Sequence, residues 1–116
     1  MKIANIFLGT LLLLGTAAGA GPNEATVEMD TSMKKMMSDM KAMKMSGHTD
    51  HDFAMMMRPH HQGAIDMAKV ELKYGSDPKL KKMAQNIVNG QTKEIGELDG
   101  WLKAHPMPKM KDMKMK

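Results

Sequence analysis

The chain contains no cysteine. It can form no disulfide, offers no thiolate to a metal, and has no thiol to carry the lipid of an exported lipoprotein. Aromatic residues are nearly absent: one Trp, one Tyr and two Phe. Nucleotide bases would find almost nothing to stack on, and a net charge of +4 is too mild for a dense basic patch, which argues against a nucleic-acid binder. Leucine is scarce, with four in residues 21–116. No segment alternates as a strand does. No Glu-x-x-His occurs, and Glu71, Glu94 and Glu97 are the only Glu residues in the second and third helical segments. The carboxylate set of a di-iron oxidase, and with it an enzymatic reading, is therefore lacking.

Long apolar runs are also missing. The longest, Ile6 to Leu14, follows Lys2 and precedes Ala18-Gly19-Ala20. It is short for a membrane span and has the layout of a secretion signal cleaved before Gly21. Residues 1–20 are thus expected to be a signal peptide, and the protein to be exported, most simply to a periplasm. In oxidising surroundings a thiolate copper site risks oxidation, whereas thioether and imidazole ligands largely avoid it.

What the chain has instead is methionine. Seventeen of its 116 residues are Met, sixteen of them after residue 20. Met ordinarily fills occasional gaps in a core of Leu, Ile and Val. A chain that inverts this ratio loses packing definition and gains soft ligands, which favour Cu(I). Ag(I), also soft, should bind alike, and Cu(II) suits positions where His and carboxylates gather.

The periodicities predict an all-α fold: three main helices in a small antiparallel bundle, with dimerisation as a way to complete it. The first, Met-rich helix (domain residues 21–47) spans about Glu24 to Ser46, with Gly47 as its C-cap. Met29, Met33, Met36, Met40 and Met43 form one stripe, which Met37 and Met45 widen. That stripe serves equally well as core or as ligands. The second helix spans about Asp50 to Tyr74, with Asp50 capping it and Pro59 expected to kink it. The third spans about Pro78 to Ala104, started by Asp77 and Pro78. Its inward face reads Leu80, Met83, Ala84, Ile87, Val88, Gln91, Ile95, Leu98, Trp101 and Leu102. The short turn Gly75-Ser76-Asp77 makes residues 48–104 a helical hairpin. Residues 105–116 form a Met/Lys-rich tail expected to be flexible.

Three groups of candidate metal ligands emerge. In Met55-Met56-Met57-Arg58-Pro59-His60-His61, Met56 shares a helical face with His60, and Met57 with His61. Met67 follows two turns after His60. Adjacent histidines point apart, so only one of the pair is expected to face the bundle interior. His48 and His51, three apart at a helix start beside Asp50 and Asp52, can converge on an ion. The looser group comprises Met36, Met40 and Met43 on the first helix and Met107, Met110 and Met113 in the tail. The tail Met residues lie among Lys, where packing gives little reason for them.

The stretch from Asp52-Phe53 through Met57-Arg58-Pro59-His60-His61-Gln62-Gly63-Ala64-Ile65-Asp66-Met67-Ala68 resembles the DUF305 family, as do Asp77-Pro78 and Gln91-x-x-Glu94-Ile95 ahead of Trp101-Leu102. The resemblance covers about residues 50–104. It implies a ferritin-like helical fold, export, and copper binding and tolerance, with His60, His61 and Met67 near a metal. Arg58 departs from the small or aliphatic residue more usual before that Pro and bears on access to the site. The Met-rich first helix and tail lie outside the resemblance.

The expectation is therefore an exported protein that sequesters or carries Cu(I) without turnover and exchanges copper with other exported proteins. Two other classes compete: the di-iron oxidase already set aside, and a basic, Met-rich module for protein or membrane surfaces.

Overall fold

The computed structural model describes residues 22–107, and the expected signal peptide (residues 1–20), Met110 and Met113 lie outside them. The described residues form three helices: α1 (Pro22–Ala42), α2 (Thr49–Tyr74) and α3 (Pro78–Ala104). The fold is a small all-α helical bundle, with no strand among the described residues.

Local chemistry sets the helix ends. Asp77 accepts hydrogen bonds from the backbone N–H groups of Lys79 and Leu80, both at 2.9 Å, and Pro78 opens α3. Gly75 closes α2 by donating its N–H to the Glu71 carbonyl at 2.7 Å. α2 continues through Pro59 as one helix.

The start of α2 and the end of α1 differ from expectation. The N-cap of α2 is His48 rather than Asp50, and its side chain makes no capping bond. Asp52 reaches back instead. Its carboxylate accepts from Ser46 N–H at 2.8 Å, Ser46 Oγ–H at 2.6 Å and Gly47 N–H at 3.1 Å. These bonds hold the Asp52 carboxyl below the usual carboxylate range, the Ser46 hydroxyl contributing most. They also claim the residues that would have extended α1, which stops at Ala42. Gly47 is thus no helix cap. It turns the connecting loop in the left-handed region, at φ 83°.

α2 lies between the other two helices and touches both, whereas α1 and α3 make no contact. The bundle is thus an open layer. Its buried residues are small: Ala54, Gly63, Ile65, Ala68 and Val70 on α2 and Ala84 on α3. α1 docks through Met36, which lies so close to Gly63 that a Cβ there would meet the Met36 side chain at 2.6 Å. Glu28 fastens the other end, accepting from Lys73 Nζ at 2.7 Å and Tyr74 Oη at 2.6 Å. Met36, Met40 and Met43 are half-buried, while Met37 and Met45 are exposed and do not widen the packed stripe.

On α3, Leu80 and Met83 are exposed by more than half, contrary to the inward face predicted for them. α1 does not reach α3, so nothing covers them on that side. Gly90, Gly96 and Gly100 have nothing within 4 Å of an added Cβ, so close helix approach explains Gly63 alone among the four interior helical glycines.

Candidate metal centre

α2 and α3 pair early residues with late ones. Arg58 forms a two-pronged ion pair with Asp99, and His61 meets Glu94. The short Gly75–Asp77 connection imposes this pairing. It brings His61 to a cleft of about 460 Å³ lined by residues that include Asp50, Met57, Glu94, Glu97, Leu98 and Trp101.

His61 is the centre of this cleft. Its side chain is only 15% exposed, whereas His60 is exposed. The two rings are 6.0 Å apart and inclined at 60°, the divergence expected of adjacent helical residues. His61 Nε2–H donates to Glu94 Oε2 at 2.5 Å. Carboxylates only accept, so Nε2 carries the proton, and when the ring is neutral its lone pair lies on Nδ1. That Nδ1 is buried and has no partner. Gln91 Oε1, one turn before Glu94 on α3, is also buried and unpartnered. Two orphaned buried polar atoms on one helix interface are costly unless a water or an ion satisfies them.

The lining favours a cation. Asp50, Glu94 and Glu97 line the cleft and no Lys or Arg does, though Lys93 pairs with Glu97 at 3.5 Å from outside it. Arg58, the departure noted in the sequence, is held by Asp99. A histidine whose far nitrogen is bonded to a carboxylate has the arrangement that orients metal-ligating imidazoles. Met57 adds a thioether to the same wall.

The other expected ligands are dispersed. Met56 is half-buried and is not part of the His61 cleft. Met67 lines a separate apolar groove with Leu80, Met83 and Ile87, so it does not join His61. Six positions from His61, it looks toward a different part of α3. Met36 packs against Gly63, which assigns it to the α1–α2 contact. His48, His51 and Met107 line a second cleft, at the junction of α2 with the end of α3. Met107 is half-buried there, so the beginning of the expected flexible tail is packed. Among the described residues, no three His or acidic side chains already stand grouped to hold a metal ion.

Three residues of these clefts were not singled out as site residues from the sequence. Glu94 is 33 positions from His61. The signal for it was the hairpin itself, which folds α3 back along α2, although Glu94 lies about one helical turn further from the Gly75–Asp77 turn than His61 does. His105 and Trp101 join His48 and His51 by the same folding back.

An all-α bundle with an acid-lined His/Met cleft between two helices is thus the class that fold and site define. The chain belongs to the DUF305 family, described as a domain of unknown function, whose model matches residues 14–102 and, in a second alignment, residues 50–116. No curated protein matches it.

Proposed function

We propose that the chain is an exported, periplasmic copper-binding protein that sequesters or carries Cu(I), without turnover, and so serves copper tolerance or trafficking. One observation carries this reading. His61 has a buried, unpartnered Nδ1, its Nε2–H is directed to Glu94, and the Met57 thioether lines the same acidic cleft. Imidazole and thioether together suit Cu(I) better than Zn(II), Mg(II) or Ca(II). When bound, copper would supply soft-ligand coordination and nothing catalytic. The protein's part is to orient His61, attract a cation with carboxylates and shield the site between helices.

An anaerobic Cu(I) competition titration tests this. The chain should take at least one equivalent from a moderate-affinity chelator. His61→Ala should lose the tight equivalent, whereas His60→Ala, altering an exposed ring, should keep it. If the intact chain takes no copper, the reading fails.

A surface-binding module is the second reading, supported by the exposure of Val27 and Met37 on a Lys-bearing α1. None of the described helices is long and apolar enough to cross a membrane. Copper-independent binding of the metal-free chain to anionic vesicles would favour this reading.

A further inference from the structure

Three histidines and a methionine meet where the start of α2 faces the end of α3. His48, His51, His105 and Met107 line a cleft of about 320 Å³ with Thr49, Asp50, Trp101 and Pro106. They come from the two ends of the helical hairpin, and neither end alone has the set.

Each histidine is positioned by something other than a metal. His105 Nδ1 lies 2.8 Å from the Trp101 carbonyl oxygen. A carbonyl oxygen only accepts, so Nδ1 holds the proton and Nε2 presents its lone pair when the ring is neutral. The ring also stacks on the Trp101 indole, with centroids 4.3 Å apart and planes inclined at 15°. His51 meets the same indole edge-on at 6.4 Å. His48 is held through its backbone: its N–H donates to Ser46 Oγ at 3.1 Å, and Asp52 grips Ser46 and Gly47. Its imidazole makes no capping bond and so remains available.

The charges around the cleft are mixed, with Lys103 in the last turn of α3 as the cationic member. The C-terminal end of α3 presents the negative end of its dipole, while the N-terminus of α2 opposes it. Asp50 and Asp52 occupy the first turn of α2 and offset that end, and Asp50 lines the cleft. The three rings are not already gathered to coordinating distance. His48 and His105 are exposed and His51 half-exposed, so the rings have room to turn, and closing the set exchanges part of the contact of His51 and His105 with Trp101 for bonds to the ion.

We propose that His48, His51 and His105, with Met107 beside them, close on Cu(II) as a second site distinct from the His61 cleft. Three imidazoles next to a carboxylate favour Cu(II), which also stands highest among the first-row divalent ions. The inference rests on the copper reading only for its choice of metal.

Trp101 is the chain's one tryptophan and belongs to both clefts, so its emission reports on either. Cu(II) alone, titrated into the full chain, should quench Trp101 to saturation at a single equivalent, with nitrogen couplings of imidazole in the electron paramagnetic resonance spectrum. His61→Ala should leave both signals intact. His105→Gln should weaken Cu(II) binding by at least about tenfold, the lower bound for losing even an outer partner of a ligand. The triple variant His48→Gln, His51→Gln, His105→Gln should lose both signals, yet keep its helical circular dichroism and its anaerobic Cu(I) uptake. Undiminished quenching in the triple variant, or loss of quenching in His61→Ala alone, would overturn the second site. Failure of Cu(I) uptake in the intact chain would instead overturn the proposed function, so the two failures are distinguishable.

Discussion

His61 depends on two neighbours in different ways, and substitution separates them. Glu94 orients the ring and fixes its proton, while Met57 stands ready as a ligand. Glu94→Gln keeps the shape and still accepts a hydrogen bond, but loses the charged partner that orients the imidazole. Cu(I) affinity measured by competition is expected to fall roughly 10- to 100-fold, with the fold unchanged. Acidification acts on a different residue. The Glu28 carboxyl lies below its ordinary value because Lys73 first, and Tyr74 next, bond its charged form. A carboxylate lowered in this way contributes its full stability above the unfolded-state value. The contribution disappears as the pH falls through the lower, folded-state value. α1 is therefore expected to loosen on the acid side before α2 and α3 part, which amide hydrogen exchange across a pH series would detect. Glu28→Gln should weaken that pH response and leave the part due to Asp52, whose carboxyl is also lowered.

At the scale of the helix, glycine separates contact from mere permissiveness. Gly63→Ala places a methyl group 2.6 Å from Met36 Cβ, and Cβ cannot swing aside as a side-chain tip can. Despite a gain in helix propensity, a net loss of about 1–3 kcal/mol is expected, read from urea melts. Gly96→Ala and Gly100→Ala meet nothing and should each gain up to about 1 kcal/mol by the same assay. Such contrasts show what was legible beforehand. The bounds of α3 were readable to the residue, its start because Asp77 and Pro78 act within one turn of their own positions, but its inward face was not, since Leu80 and Met83 stand exposed. The end of α1 was misplaced by four residues, because Gly47 serves a loop whose shape depends on Asp52, five residues further on. The methionine stripe left core and ligand roles open; Met36, Met40 and Met43 are half-buried, whereas Met29 and Met33 are exposed. Adjacency alone says that only one of His60 and His61 faces inward; that it is His61 depends on how α2 is rotated against α3. The pairing of His61 with Glu94 required folding the hairpin about its turn.

For the molecule as a whole, copper should act on the hairpin and largely bypass α1. Both clefts are built from residues 48–107, and α1 contributes no lining residue to either. Loading with Cu(I) at about 100 times the dissociation constant should add roughly 2.7 kcal/mol to the folded state, visible as a raised melting temperature. Hydrogen-exchange protection should increase in α2 and α3 and stay level in α1.

The thin, open layer has one more consequence. No large side chain is fully buried among the described residues, and the buried set is dominated by Ala and Gly with one Ile and one Val. Unfolding such a molecule uncovers little new apolar surface, and apolar hydration is the main source of the heat-capacity increment. Calorimetry of the metal-free chain should therefore give a small increment for its length and a flat stability curve, with weak curvature in both the cold and the hot direction. Temperature would then govern the folded fraction only gently, and whether an ion is bound would become its chief control.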